Sequence, residues 1–157
     1  MKDHTEPLIG LLQEHFGNDP FMCGAEIGVW TGKLSRCLLG AFPRLYLYMI
    51  DPWESLQEST VSSHGRKKSR RDVIAARLMA EEVTKEFEPR ATILQEMSTA
   101  CRVYRNTLEF VFIDANHSYE SVKADIEWWL PAVRRGGIIC GHDYSLRHNK
   151  RRGWGVN

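Results

Sequence analysis

The chain has no long hydrophobic run; nothing in it approaches the roughly 20 apolar residues of a membrane span. Its opening residues, MKDHTEP, lack the apolar segment of a secretory signal. Cysteine is sparse and scattered: Cys23, Cys37, Cys101 and Cys140 are the only four in 157 residues, and none forms a CxxC pair. That spacing excludes a dense disulfide frame or a zinc knuckle and suits reduced, buried thiols in a cytoplasmic protein. Charge of one sign is also lacking, since 21 Lys+Arg face 20 Asp+Glu for a net charge of +1. A nucleic-acid partner is therefore not expected, because no positive excess exists to drive counterion release. What is present is an ordinary globular mixture, 43% hydrophobic and 26% charged, with enough apolar mass to rule out general disorder. The length suits one domain spanning 1–157.

Apolar periodicity along the chain alternates between helix and strand. Leu8, Ile9, Leu12 and Phe16 mark a first helix, closed by Gly17 to Pro20. Residues 23–29 read as a first strand, Leu34, Cys37, Leu38 and Ala41 as a helix face, and residues 45–50 as a second strand. The segment 57–71, QESTVSSHGRKKSRR, is polar and basic and is expected to be an exposed insertion. A helix carrying Val73, Ala76, Ala80, Val83 and Phe87 follows, then a strand at 91–94 and a short helix from Ser98 to Tyr104. A fourth strand is expected at 109–113. A long helix follows, with the stripe Tyr119, Val122, Ile126, Trp129 and Val133, ended by Gly136-Gly137, and a fifth strand at 138–140. Alternation of this kind predicts an α/β sandwich with a parallel sheet of order 3-2-1-4-5. The strand runs are apolar throughout, as burial on both faces requires. Ligands in such sheets bind beyond the carboxyl ends of the strands, so the residues after each strand carry the functional argument.

After the first strand comes Glu26-Ile-Gly28-Val-Trp30-Thr-Gly32. The glycines let the turn approach a ligand closely, and the helix that follows points free N–H groups at it. A phosphate or a carboxylate could sit there; Glu26 disfavours a bare phosphate and suits an ammonium group. A plain strand–helix turn is the alternative. The G-x-G-x-x-G fingerprint is not met. Asp51 after the second strand could accept both hydroxyls of a ribose, with Trp53 either a flat face for a base or a core residue. Ser98 could meet an adenine edge or cap a helix. Asp114 and His117 follow the fourth strand, and His117 has the intrinsic pKa of a general base. Asp143 follows the fifth strand beside His142. With Asp114 and the two histidines it could hold Mg²⁺, or the groups could simply hydrogen-bond one another. The cluster Arg66, Lys67, Lys68, Arg70 and Arg71 reads as a solvated loop rather than an anion site.

The strings AEIGVWTGKLS, LYMIDPWE and FVFIDANHSYESVKADIEWWLPAVRRGGIICGHDY resemble the class I S-adenosylmethionine-dependent methyltransferases. The likeness is strongest to the bacterial group called methyltransferase family 24, relatives of the macrocin and mycinamicin sugar O-methyltransferases. It spans about residues 22–145. The resemblance implies a Rossmann-like fold, S-adenosyl-L-methionine as cofactor, Mg²⁺ as an optional second, and a small-molecule hydroxyl as acceptor. By position it implies that Glu26, Gly28 and Gly32 contact the methionine half, with Trp30 in the same cofactor-binding turn. Asp51 would bind the ribose, with Trp53 beside the adenine and Ser98 flanking it. Asp114 would lie near the methyl-transfer centre, as a cofactor neighbour and a metal ligand together with Asp143. His117 falls where sugar-methylating relatives place a base. The residues after the fifth strand, SLRHNKRRGWGVN, are too few for the helix and strand pair with which that fold usually ends. The expectation is a fragment, or a minimal member that pairs its uncovered sheet edge in a homodimer. Two rivals remain: an NAD-dependent oxidoreductase, and a cofactor-binding remnant without catalysis.

Overall fold

A computed structural model describes residues 5–53, 69–102 and 104–142. In chain order the elements are α1 (Thr5–Phe16), β1 (Met22–Ile27), α2 (Lys33–Ala41), β2 (Leu45–Ile50), α3 (Arg70–Glu86), β3 (Ala91–Leu94), β4 (Leu108–Ile113), α4 (Tyr119–Trp129) and β5 (Val133–Gly141). Two single 3₁₀ turns, Ser98–Ala100 and Leu130–Ala132, lie between β3 and β4 and between α4 and β5. The five strands form one parallel sheet of order β3-β2-β1-β4-β5, the expected order. Ile27 lies level with both Ile50 and Ile113, so the carboxyl ends of the three central strands open onto a common rim. The order reverses between β1 and β4, which places a cleft there.

Both sheet faces carry core. On one, Met22, Leu47, Met49, Phe110 and Phe112 pack against α1, α2 and α3 through Leu8, Leu12, Leu34, Leu38, Ala76, Ala80 and Val83. On the other, Ala25, Ile27, Ile50, Val111 and Ile113 pack against Trp129, Ala132 and Cys101. Each large side chain fully removed from water contributes roughly 1.5–3 kcal/mol. The start of α3 is set locally. Ser69 accepts from the Asp72 amide at 3.2 Å, and Asp72 accepts from the Ser69 amide at 2.9 Å, a reciprocal cap. Arg70 and Arg71 are thus the exposed first turn of α3 rather than the end of an insertion. Residues 57–68 of the expected insertion, with Arg66, Lys67 and Lys68, lie outside the described residues.

Several expectations are corrected. First, α4 stops at Trp129, and Val133 opens β5, because Pro131 has no N–H to continue a helix and favours a 3₁₀ turn. Gly136-Gly137 sits inside β5, where the pairing with β4 slips between Leu108 and Phe110 and Gly136 adopts φ +75°. Second, only part of the expected stripe on α4 faces inward, with Trp129 buried and Val122 half-buried. Tyr119 and Ile126 are exposed, and the buried residues of the helix are Asp125 and Trp129. Third, β1 ends at Ile27, two residues early, where Gly28 turns the chain at φ +91°, and the helix expected over 98–104 is only the Ser98–Ala100 turn. Fourth, β2 is not buried on both faces along its whole length: Tyr46 and Tyr48 are 42% and 39% exposed. Among the described residues the β3–β4 link has one 3₁₀ turn where a covering helix would lie. Cys101 is buried and the other three cysteines are half-buried, all as free thiols. Burial pushes the Cys101 and Cys140 thiols up to about 11, which makes them poor nucleophiles.

Candidate functional site

The rim is built from the turns that follow β1, β2 and β4. Gly28 donates its N–H to the Ile50 carbonyl at 2.8 Å, stitching the first turn to β2. A side chain at Gly28 would run into the Asp114 carbonyl, so glycine is required by close approach as well as by its φ. Gly32 closes the turn by donating to the Val29 carbonyl at 3.0 Å, with φ +74°, and α2 begins at the next residue. Glu26, next to the end of β1, is only 2% exposed, and it accepts a short hydrogen bond from the fully buried Ser35 hydroxyl of α2. Burial lifts its carboxyl from the ordinary 4.5 to about 8; the Ser35 bond opposes the rise, and the nearby Asp114 and Asp51 carboxylates add to it. Three acids therefore converge on one glycine turn.

Asp51 is held between two tryptophans. Its Oδ2 accepts from the Trp30 amide at 2.9 Å and its Oδ1 from the Trp53 amide at 2.8 Å. The Trp53 indole N–H in turn donates to the Trp30 carbonyl at 2.8 Å. Trp30 and Trp53 both adopt left-handed backbone conformations, at φ 53° and 41°. Trp30 is half-buried, while Trp53 is 7% exposed and packs into the larger core. Ser98 does not cap the 3₁₀ turn it begins. Its hydroxyl donates a short hydrogen bond to Asp125, a buried acid of α4 whose carboxyl is pushed up by burial.

Asp114 follows β4 and donates its N–H to the Ile27 carbonyl at 2.8 Å. Its Oδ1 lies 3.7 Å from His117 Nε2 and 3.9 Å from His142 Nδ1, both half-buried. Ser118 caps α4 by accepting from the Ser121 amide, and Asn116 braces the Ser118 amide at 3.0 Å. Capping therefore accounts for Ser118 and Asn116 and leaves Asp114, His117 and His142 facing one another. Among the described residues no three His, Cys, Asp or Glu side chains converge closely enough to hold a metal ion. Asp143 lies outside the described residues, so the two-acid site expected with Asp114 is not visible. The residues that sequence reasoning missed are Ser35 and Asp125. Each is a polar side chain on the inward face of a helix, Asp125 one turn before Trp129, and that placement was the available signal.

The family profile Methyltransf_24, described as a methyltransferase domain, matches residues 25–144. The chain belongs to this methyltransferase family. No curated protein sequence matches it significantly. Among solved structures, this methyltransferase domain is similar to the MycE methyltransferase of the mycinamycin biosynthetic pathway in complex with Mg and SAH. The TM-score is 0.61 and the identity 18%, over 98% of this chain and 38% of that one. Phosphoethanolamine N-methyltransferase 2 of Haemonchus contortus, in complex with S-adenosyl-L-methionine, gives 0.61 and 17% over 97% and 33%. The [4+2]-cyclase SpnF gives 0.55 and 17% over 85% and 43%. At these identities the likeness is one of fold. The methyltransferase domain spans under half the length of each of these three chains. No described helix is long and apolar enough to cross a membrane.

Proposed function

We propose that the domain binds S-adenosyl-L-methionine across the rim between β1 and β4 and transfers its methyl group to a hydroxyl of a small molecule, a sugar or related natural product. The observation that carries this reading is the convergence of Glu26, Asp51 and Asp114 on the Gly28–Gly32 turn. Acidic side chains gathered at this rim disfavour a pyrophosphate, and so a dinucleotide, and suit a cationic ligand, beside which the buried Glu26 can give up its proton. S-adenosyl-L-methionine supplies a methyl group on a positively charged sulfur, together with an ammonium and a ribose. In this reading Glu26 faces the ammonium, Gly28 and Gly32 leave room for the amino-acid half, and Asp51 takes the ribose hydroxyls. The cleft's main task is to hold donor carbon and acceptor oxygen in line.

A hydroxyl is a weak nucleophile until its proton leaves. His117 is the base in this proposal: its imidazole takes the acceptor's proton as the oxygen attacks, and the Asp114 carboxylate, 3.7 Å away, stabilises the imidazolium that forms. Asp114 and Asp143 are the residues that would hold Mg²⁺ if the acceptor is activated by a metal, so full turnover in a chelator removes that part of the proposal. Calorimetric titration with S-adenosylhomocysteine and with NAD tests the cofactor. Binding of NAD alone rejects the reading. A methyl-release assay over a panel of sugars and phenols then separates a working enzyme from a domain that only binds the cofactor.

A further inference from the structure

Asp51 is bonded in a way that a ribose-binding acid alone does not require. Each carboxylate oxygen already accepts a backbone N–H, one from the turn after β1 and one from the turn after β2. Both N–H groups belong to tryptophans whose backbones sit in the left-handed region, at φ 53° and 41°, where a bulky side chain costs free energy. The Trp53 indole closes the ring of contacts onto the Trp30 carbonyl. Trp30 lies midway between Gly28 and Gly32, both also at positive φ, so the turn holds three left-handed residues of which only one is not glycine. Something must keep Trp30 in that conformation, and the charged acceptor on its amide is in place to do so.

We infer that Asp51 is a positioning residue for the turn after β1, holding Trp30 left-handed so that the Gly28–Gly32 backbone is shaped to receive the amino-acid half of the ligand. The inference rests on the cofactor reading above and extends it: Asp51 acts on both halves of the ligand, on the ribose by contact and on the amino-acid half through Trp30. An acid that touches only ribose would, when removed, weaken every adenosine-containing ligand by one factor. An acid that also shapes the turn weakens ligands bearing the amino-acid half by more. Glycine in place of Trp30 adopts the left-handed backbone freely, so it makes the Asp51 bond dispensable for turn shape and leaves the ribose contact unaffected.

The test is a calorimetric cycle over the wild type, Asp51→Ala, Trp30→Gly and the double variant, each titrated with S-adenosylhomocysteine and with 5′-methylthioadenosine, which lacks the amino-acid half. With Trp30 present, Asp51→Ala should lower the preference for S-adenosylhomocysteine over methylthioadenosine by about tenfold or more, the worth of a charged hydrogen bond. In the Trp30→Gly background the same substitution should change that preference less than about threefold. Equal losses on both ligands, or the same change of preference in both backgrounds, overturn the inference and leave Asp51 a ribose ligand only. If the wild type binds neither probe, the cofactor reading itself fails. Thermal unfolding of the ligand-free proteins is the second readout: Asp51→Ala should lower the midpoint more in the wild-type background than in the Trp30→Gly background, and equal drops contradict the coupling. If Asp51→Ala does not fold, Asp51→Asn, which keeps one acceptor oxygen, enters the same cycle.

Discussion

Glu26→Gln probes the site and the fold in one experiment. In the folded chain Glu26 keeps its proton until about pH 8, because its carboxyl is almost wholly out of water and faces two other acids. In the unfolded chain it loses that proton near the ordinary 4.5. Between those values the folded state binds one proton more than the unfolded state, so this group makes stability fall as pH rises, by about 1.4 kcal/mol per pH unit. Below about pH 4.5 the penalty vanishes. Glutamine matches the shape, its carbonyl still accepts the Ser35 hydroxyl, and it carries no titrating proton. The variant should therefore match the wild type near pH 4.5 and gain on it steadily, by about 3 kcal/mol after two pH units. Urea unfolding of both proteins at several pH values between about 5 and 7 measures the gap. Parallel stability curves would refute the argument, since they mean that Glu26 is already ionised in the folded cleft. The same proton connects stability to function. The ligand's ammonium, placed against Glu26 in this reading, favours the carboxylate, so binding of S-adenosylhomocysteine near pH 7 should release up to one proton. Calorimetry in buffers of differing ionisation enthalpy reads that release, and Glu26→Gln should abolish it.

Three further outcomes follow from named contacts. His117→Ala should lower methyl-transfer turnover by about a hundredfold or more while cofactor affinity, read by calorimetry, stays within about threefold; a collapse of affinity would make the histidine structural. Arg90 donates to the carbonyls of Leu39, Phe42 and Leu45 at 3.1–3.3 Å and stacks over Phe87, pinning the end of α2 to the start of β3. Arg90→Ala should cost about 2–3 kcal/mol in urea unfolding and Arg90→Lys nearly as much, because a compact ammonium on a shorter stem lacks the planar guanidinium that reaches these carbonyls while stacking on Phe87. Gly28→Ala forces a side chain into the Asp114 carbonyl at a left-handed backbone. It should abolish S-adenosylhomocysteine binding and lower the thermal midpoint, and retained affinity would show that the turn can open without loss.

The parts of this molecule that were legible from sequence are those in which one residue type answers one physical demand. Five short apolar runs separated by helical periods specify a parallel sheet, and right-handed crossovers leave few orders for it. Glycine at 28 and 32 announces a turn, and an acid after β2 announces a polar rim. Elsewhere the pattern was ambiguous. Tyr119, Val122, Ile126 and Trp129 keep helical spacing, yet α4 faces the sheet through Trp129 and Asp125, because periodicity gives the spacing of a face without saying which neighbour lies behind it. Gly136-Gly137 reads equally well as a helix stop or as a slip within a strand, and Pro131 decides by ending the helix earlier.

The site divides along the same line. Glu26, Asp51 and Asp114 could each be named from position, because the fold brings the carboxyl end of every strand to the rim: Glu26 is the penultimate residue of β1, and Asp51 and Asp114 directly follow β2 and β4. Their mutual arrangement could not, because it depends on three backbones meeting at Gly28 and on burial that no single residue reports. Trp30 shows the difference most clearly. Its large aromatic side chain argues against a left-handed turn, and the conformation is visible only together with Asp51, 21 residues further along the chain, whose carboxylate accepts its amide. A local preference is overridden there by one charged hydrogen bond. Such conflicts between local preference and observed backbone concentrate where a chain is shaped for a ligand rather than for stability alone. The one non-glycine left-handed residue of the β1 turn thus lies against Asp51, the acid on which the proposed ligand site is built.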